Sequence, residues 1–306
     1  MNTFLGIDTS NYTTSVALAD ENGKIIHNSK RLLPVAEGER GLRQSQVIFF
    51  HLKALPELFG ALYKFDPPVS VGVSAFPRDA EKSYMPCFLA GLSSASAISV
   101  AGVHIFRCSH QRGHIRAALY SSGREDLLGK RYAAFHVSGG TTEVLLCEGE
   151  KITIIGGTRD LNAGQAIDRA GVLMGLHFPC GRELSELADK GALPEKPKIC
   201  VEGLYCNLSG LENKVVGLLD RSTPKEDTAL YVIEFIKLTL DRLCENLRAE
   251  YPEIPIVCAG GVCSNKMISA HLTNKYGASF AAPEFSSDNA AGCALLAFDH
   301  YNLGTW

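Results

Sequence analysis

Two histidines four residues apart are the feature of this chain that most directly suggests chemistry. His110 and His114 precede an alanine-rich run. On an α-helix, residues i and i+4 share one face, so two such imidazoles can hold one divalent metal ion. Histidines that face solvent or are satisfied in a core show the same spacing, and two ligands do not make a site. A metal site therefore needs a third ligand from elsewhere in the chain.

Asp288 is the candidate for that third ligand. It lies in a short polar segment directly before a helical pattern over residues 288–300. Ser287 or Asp288 could instead cap this helix, because short polar side chains accept hydrogen bonds from the first free N–H groups. The sequence alone leaves both interpretations open.

Asp8 is the candidate catalytic residue. It ends a short apolar run and precedes a polar turn over residues 9–14, which is rich in hydroxyls and amides. An acid followed by such a turn at a strand end can meet phosphate oxygens or a metal-bound water. The alternative is a plain surface hairpin.

A double-glycine turn has the composition of a phosphate-binding site. It consists of Val137, Ser138, Gly139, Gly140 and Thr141. Glycine lets backbone N–H groups approach a phosphate without a Cβ, although a tight hairpin has the same composition. The turn lacks the GK[ST] of a P-loop, so ordinary P-loop chemistry is not expected.

Two other positions could bind the rest of a nucleotide. Asp168 lies about one turn into a helix, where it could bond both ribose hydroxyls or only interact with the helix dipole. Gly260-Gly261 joins a buried strand to a helix, with Ser264 as a candidate N-cap. Such glycines mark a ligand crevice in α/β folds, and Asn265 could contact an adenine there; a structural glycine turn is the alternative.

Hydrophobic periodicity predicts the elements that position these residues. Strands at 3–8, 15–19 and 24–28 form a meander, with a hairpin turn at Asn22-Gly23. Helices follow at 43–64 and 86–100, alternating with strands at 69–74 and 103–106. A meander followed by βαβ crossovers predicts a mixed sheet with helices on its faces.

The same plan then repeats. A second meander has strands at 132–137, 143–147 and 152–155. Helical patterns at 163–175, 181–190, 208–220 and 226–249, a strand at 255–258 and a helix from Ser264 follow. Two copies of one plan indicate an internal duplication. We predict an α/β protein with an N-terminal lobe over residues 1–125 and a C-terminal lobe over 126–306, and proteins of this design bind a nucleotide between their lobes.

The composition is that of a soluble globular protein. Of the 306 residues 46% are hydrophobic and 21% charged, and the net charge of −3 argues weakly against a dedicated nucleic-acid binder. The ten cysteines include no CxxC pair, so we expect reduced core thiols and no zinc–cysteine site. Without a signal-peptide pattern or a long apolar run, we expect a cytoplasmic protein that does not contact a membrane.

Taken in order, the motifs resemble those of a known family. The matching stretches are GIDTS at 6–10, HQRGH at 110–114, VSGGT at 137–141, AGQAID at 163–168, PCG at 179–181, LSGL at 208–211, GGVCSN at 260–265 and SDNAA at 287–291. Over essentially the whole chain the sequence resembles the tRNA threonylcarbamoyladenosine synthase family (TsaD-like, formerly O-sialoglycoprotein endopeptidases). The resemblance implies a two-lobed actin/Hsp70-like ATPase fold with duplicated β-meander subdomains.

The resemblance also implies residue roles and partners. It implies one divalent metal, iron or zinc, on His110, His114 and Asp288; an adenylate phosphate on Val137 to Thr141; a ribose on Asp168; and a nucleotide pocket lined by Gly181 and Asn265. The implied reaction moves a threonylcarbamoyl group from its adenylate to N6 of an adenosine beside the tRNA anticodon. The expected partners are tRNA, threonylcarbamoyl-adenylate, a paralogous non-catalytic subunit and a small ATPase.

The chain departs from the family pattern in three places. The family's first turn usually reads ETSCDET, and its two acids after the cysteine position are here Tyr12 and Thr13. Thr141 replaces a histidine, and PGGP becomes the segment 179–182. These changes favour a divergent paralogue. They leave open a carbamoyl-type transferase with another acceptor and a non-catalytic nucleotide-binding partner, while a peptidase is disfavoured because the sequence has no HExxH and no convincing nucleophile–base pair.

Overall fold

The computed structural model describes residues 2–10, 12–34 and 42–304. The strands are β1 Thr3–Asp8, β2 Thr13–Ala19, β3 Ile25–Leu32, β4 Pro68–Phe76, β5 His104–Ser109, β6 Arg131–Val137, β7 Thr142–Glu148, β8 Lys151–Thr158, β9 Cys200–Glu202, β10 Tyr205–Asn207, β11 Ile256–Ala259 and β12 Ser279–Phe280. The helices are α1 Gln44–Gly60, α2 Phe88–Ser99, α3 His110–Ser121, α4 Ala163–Leu173, α5 Gly181–Ala188, α6 Gly210–Asp220, α7 Lys225–Glu250, α8 Lys266–Tyr276, α9 Pro283–Ser286 and α10 Ala291–Leu303. Two compact units result, residues 1–121 with 284–306, and residues 122–283.

The first unit is built on a five-stranded mixed sheet in the order β3-β2-β1-β4-β5. β1, β2 and β3 pair antiparallel, whereas β4 and β5 run parallel to β1. The predicted mixed sheet, a meander followed by crossovers, is therefore confirmed. β1 and β2 are buried over their whole length, as expected for strands covered by helices on both faces.

The side chains of β1 alternate between the two faces of the sheet, and helices cover both faces. Leu5 and Ile7 pack in one cluster with residues of α1 and α2. Gly6 faces the other side, where a Cβ would come within 2.1 Å of the Ala290 carbonyl oxygen. Only glycine lets the start of α10 approach the sheet this closely. Residues 284–306 thus pack with the first unit, whereas sequence order placed them in the C-terminal lobe, because order alone does not indicate which sheet a terminal helix covers.

The second unit repeats the strand order of the first. Its sheet runs β12-β11-β6-β7-β8-β10-β9, and the part β8-β7-β6-β11-β12 has the same order as β3-β2-β1-β4-β5. β6, β7 and β8 are antiparallel, and β11 is parallel to β6. This topology agrees with the predicted duplication. β9 and β10 have three residues each and were not predicted, since such short strands have no measurable periodicity.

The cap predicted for α8 is wrong. Ser264 lies in a 3₁₀ turn and its hydroxyl donates to the Gly261 carbonyl at 2.6 Å. Asn265 is the N-cap instead, because its extended backbone lets Oδ1 accept from the N–H groups of Met267 and Ile268 at 3.0 and 3.2 Å.

The cysteines match the expectation of reduced thiols, and nine of the ten are buried. All ten cysteines are free thiols, and Cys200 is the exposed one among them. Among the helices of the described residues, none combines the length and the apolar composition that a bilayer crossing needs.

Candidate metal centre and nucleotide-binding turns

Helix α3 places the two histidines at the end of a parallel strand. β5 ends at Ser109, and the Ser109 hydroxyl accepts a hydrogen bond from Arg112 N at 3.0 Å, which caps the first turn of α3. His110 and His114 lie one turn apart on the same face, as the spacing predicts. Their Nε2 atoms are 3.1 Å apart, and His114 is buried.

Asp288 completes the cluster from the segment between α9 and α10. Its Oδ1 lies 3.1 Å from His114 Nε2 and 3.6 Å from His110 Nε2. The first N–H of α10, from Ala291, is accepted at 3.1 Å by Asn289. The alternative interpretation of Ser287 or Asp288 as the helix cap is therefore wrong.

A pair of glycines lets the two ligand-bearing segments approach. A Cβ on Gly292, near the start of α10, would come within 1.8 Å of the Gly113 carbonyl oxygen in α3. Any larger residue at position 292 would push α10 away from α3. Because Asp288 lies just before α10, that displacement would separate its carboxylate from the imidazole of His114.

Asp8 lies behind His110, on the side away from Nε2. His110 Nδ1 is 3.2 Å from Asp8 Oδ1. The same carboxylate accepts hydrogen bonds from Ser10 at 2.7 Å and from Ser74, and Asp8 is 1% exposed. A carboxylate on the second ring nitrogen holds the orientation and tautomer of a metal-binding histidine.

The carboxylates make this cluster favourable for positive charge. Burial alone lowers the pKa of His110, but the charges and hydrogen bonds of Asp8 and Asp288 outweigh it and raise that pKa to about 10. Burial alone raises the pKa of Asp288, but the hydrogen bonds and charges of His110 and His114 hold it well below its ordinary range. Burial likewise opposes ionisation of Asp8, and the charge and hydrogen bond of His110 nevertheless keep its pKa below the ordinary value.

The donor set fits a divalent cation. One ligand atom from each of His110, His114 and Asp288 lies within 4.8 Å of the others. Nitrogen and oxygen ligands bind such ions at about 2.0–2.2 Å, which puts them about 3.0 Å apart at right angles and about 3.4 Å apart in a tetrahedron. The observed separations of 3.1, 3.1 and 3.6 Å agree with these values. Two imidazoles and one carboxylate suit iron and zinc alike.

The double-glycine turn of the second unit is closed by its own backbone. Ser138 N donates to the Thr141 carbonyl at 2.7 Å, and Val137 is buried at the end of β6. Gly139 and Gly140 are exposed, and a Cβ on either would meet open space. The turn therefore presents glycine backbone at its surface.

The start of α4 packs directly on this turn. Gly164 N donates to the Ser138 carbonyl at 3.1 Å. A Cβ on Gly164 would come within 2.6 Å of Gly139 Cα. Ala163 N, the first N–H of α4, donates to the Thr142 hydroxyl at 2.8 Å. These N–H groups are therefore already bonded within the protein, and the start of α4 favours a phosphate at the turn through its dipole.

The three remaining predicted residues lie around the starts of α5 and α8. Asp168 accepts a hydrogen bond from Cys180 N at 2.8 Å, and burial raises the pKa of Asp168 in spite of this bond. Asn265 Nδ2 donates to the Ser185 hydroxyl at 3.0 Å, and that hydroxyl donates to the Gly181 carbonyl at 2.8 Å. Gly181 and Asn265 are thus linked, while Asp168 ties α4 to the residue before α5.

Sequence reasoning missed Ser10 and Ser74, which hold Asp8 in place. A signal for Ser74 was available. β1 and β4 are parallel neighbours, and the carboxyl ends of parallel strands meet at one edge of a sheet. A serine near the end of the second strand could therefore be expected beside an acid at the end of the first.

The model of the TsaD family, described as tRNA N6-adenosine threonylcarbamoyltransferase, matches residues 84–295. A protein of that name from Archaeoglobus fulgidus is 26% identical over 305 residues, covering 97% of this chain and 91% of the relative. Another from Thermosipho africanus is 28% identical, covering 98% of this chain and 94% of the relative.

Solved structures share the fold at low identity. Component A of (R)-2-hydroxyglutaryl-CoA dehydratase from Acidaminococcus fermentans superposes with a TM-score of 0.60 at 14% identity, over 99% of this chain and all of its own. A ROK family protein from Streptococcus pneumoniae superposes with a TM-score of 0.56 at 11% identity, over 99% and 100%. These neighbours have the actin/Hsp70-like ATPase fold, and at this identity the likeness shows the fold alone.

Proposed function

This chain belongs to the TsaD family of tRNA N6-adenosine threonylcarbamoyltransferases, and from that premise we propose that it transfers a threonylcarbamoyl group from threonylcarbamoyl-adenylate to N6 of an adenosine in tRNA. Family membership makes it a transferase. The observation that best supports the specific reaction is the convergence of His110, His114 and Asp288. A chain that had kept only the fold would have no need for two imidazoles and a carboxylate at ligand spacing.

The reaction exchanges one bond to the carbonyl carbon for another. The N6 amine attacks the carbonyl carbon of the donor and forms a C–N bond. The bond from that carbon to the phosphate oxygen breaks, AMP leaves with the electron pair, and the amine gives up one proton. The protein must hold the carbonyl group, offset the charge of the departing phosphate and exclude water, since water would hydrolyse the same donor.

In this proposal His110, His114 and Asp288 hold one divalent iron or zinc ion. A cation held there would polarise the carbonyl group and offset negative charge on the phosphate. Asp8 acts as a positioning residue: it keeps the Nδ1 proton of His110 and so directs Nε2 towards the ligand cluster. Its carboxylate is buried among Ser10, Ser74 and His110, which favours this role over proton exchange with the acceptor.

The second unit supplies the groups for the adenylate. We assign the phosphate to the turn from Val137 to Thr141, because its glycine backbone is exposed and the dipole of α4 favours an anion beside it. Asp168 is assigned to the ribose, and Gly181 and Asn265 to the rest of the nucleoside. The tRNA acceptor, a paralogous subunit and a small ATPase are the partners that the family implies.

The test combines metal binding with transfer. Purified chain, with the family's partner proteins added, is incubated with unmodified tRNA and threonylcarbamoyl-adenylate, and the modified nucleoside is measured by mass spectrometry. We expect about one divalent metal per chain, and we expect His114→Ala or Asp288→Ala to lose the metal and to slow transfer by more than roughly 100-fold.

A matched control comes from another histidine–carboxylate pair. His271 Nε2 lies 2.8 Å from Asp241 Oδ1 in the second unit, so His271→Ala removes the same kind of contact away from the cluster. It should leave metal content and transfer unchanged. Full transfer activity in metal-free His114→Ala protein would rule out the proposed metal role.

A second candidate differs only in the acceptor. The family's two acids in the first turn are here Tyr12 and Thr13, and Thr13 is 5% exposed. A carbamoyl-type transferase with a small-molecule or protein acceptor would fit this change. Donor-dependent AMP release that is not accelerated by tRNA, but is accelerated by a small amine, would favour this second candidate.

A further inference from the structure

A cavity of about 350 Å³ lies in the first unit beside the segment that carries Asp288. Strand β3, an edge strand of the sheet, forms one wall, and α9 forms the other. The lining residues are Ile25, Ile26, His27, Asn28, Lys30, Glu284 and Phe285. None of the residues assigned above to the metal or the adenylate lines it.

Lys30 connects this cavity to the metal cluster. Its Nζ donates to the Ser287 hydroxyl at 2.5 Å, and Ser287 directly precedes Asp288 in the chain. An ammonium group has three N–H donors, and this bond uses one of them. Lys30 is exposed, so an anionic group in the cavity could reach the ammonium.

Asn28 supplies an acceptor on the same face of the strand. Residues 28 and 30 project to one side of β3, about 7 Å apart along the strand. Asn28 Oδ1 is buried, and among residues 2–10, 12–34 and 42–304 it has no hydrogen-bond partner. A buried acceptor without a donor costs free energy, and a ligand with an N–H group would relieve that cost.

The opposite wall is partly apolar and carries one acid. Phe285 is buried and Glu284 is exposed. A small side chain carrying a methyl group fits against Phe285, and a hydroxyl could donate to Glu284.

We propose that this cavity binds the amino-acid part of an N-carbamoyl amino-acid adenylate, with the carboxylate on Lys30 and the carbamoyl N–H on Asn28. In such a donor both groups are attached to one Cα, next to the carbonyl that reacts. Lys30 is then a specificity residue that distinguishes an amino-acid carbamoyl group from a bare carbamoyl group. The inference rests on the proposed function, because it takes the adenylate donor from it.

The test is a matched pair of ligands on matched variants. The probes are two hydrolysis-resistant analogues of threonylcarbamoyl-adenylate with a sulfamoyl group in place of the phosphate, one with the carboxylate and one with a carboxamide. Calorimetry gives the Kd of each for wild type, Lys30→Met and Lys30→Arg. Charge-assisted hydrogen bonds are worth about 10- to 100-fold in affinity, so wild type should prefer the carboxylate by about that factor.

Lys30→Met should bind both analogues with the affinity that wild type has for the carboxamide, and Lys30→Arg should keep the preference. Ser287→Ala is the control, because it removes the Lys30 hydrogen bond and leaves the ammonium in place; it should keep the preference too. Equal binding of both analogues by wild type, or an unchanged preference in Lys30→Met, would overturn the inference.

The tRNA assay separates this inference from the proposed function. If wild type modifies tRNA but Lys30→Met still prefers the carboxylate analogue, the amino-acid subsite is refuted and the proposed function stands. If wild type fails to modify tRNA but prefers the carboxylate analogue, and Lys30→Met abolishes that preference, the tRNA acceptor is refuted and the subsite stands.

Discussion

Asp8→Asn tests how the metal cluster is held. The change keeps the shape of a side chain that is 1% exposed, and it removes the charge beside His110. An amide has one oxygen, so it cannot accept from Ser10, Ser74 and His110 as the carboxylate does. Removing such a partner of a metal-binding histidine costs about 10- to 100-fold in metal affinity, which corresponds to about 1.4–2.8 kcal/mol.

The assay is competition for zinc with a chromophoric chelator, and thermal unfolding of the metal-free protein is measured in parallel. Ser15→Ala is the matched control. Ser15 is buried and pairs with Asp8 across β1 and β2, and its hydroxyl donates to the backbone oxygen of Asp8 at 3.4 Å rather than to the carboxylate. The control should keep its zinc affinity. If Asp8→Asn binds zinc within about threefold of wild type but transfers nothing, then Asp8 acts on the reacting groups and the positioning argument is refuted.

Two further predictions concern the second unit. Gly164→Ala should weaken adenylate binding and destabilise the protein by about 1–3 kcal/mol, because its Cβ would collide with Gly139. Gly217 has open space around it, so Gly217→Ala is the control and should be neutral or stabilising by calorimetry. Equal destabilisation by the two substitutions would contradict the packing argument. Hydrogen bonds from groups such as Ser209 outweigh partial burial and hold the pKa of Asp160 well below its ordinary range, so Asp160→Asn should cost about 1–2 kcal/mol at neutral pH. Because the folded-state pKa of Asp160 is lowered, the difference in unfolding free energy between wild type and Asp160→Asn should be full above about pH 5 and shrink as the pH falls below about 4. Urea unfolding of both proteins above and below this range measures the difference. A difference that grows in acid would contradict the argument.

The sequence predicted the pairing of His110 and His114 from a local signal, whereas Asp288 was chosen as their partner by the family resemblance. The spacing of His110 and His114 needs only a helix, and Asp288 stands at a recognisable junction before the last helix. The role of Asp8 could not be predicted in the same way. It depends on β1, β4 and α3 meeting at one sheet edge, which brings Ser74 and His110 to the carboxylate from positions 66 and 102 residues away.

Long-range packing also explains the other differences. The mixed character of the first sheet follows from the predicted meander and the βαβ crossovers after it. The placement of α10 does not, because it depends on Gly6 and Gly292 admitting a helix that is distant in sequence. The cavity beside β3 escaped sequence reasoning for the same reason, since Lys30 and Ser287 are 257 residues apart.

The first turn differs from the family pattern at position 13, where the side chain is buried. Thr13 is 5% exposed at the start of β2, and the Tyr12 carbonyl accepts from Leu33 N at 2.8 Å. A glutamate placed at position 13 on this backbone would carry its charge into the core, at a cost of several kcal/mol without a partner. Position 13 is therefore suited to an uncharged residue. In the proposed reaction, a proton released by the attacking amine would then go to a group other than position 13, and the oxygens of the departing phosphate could accept it.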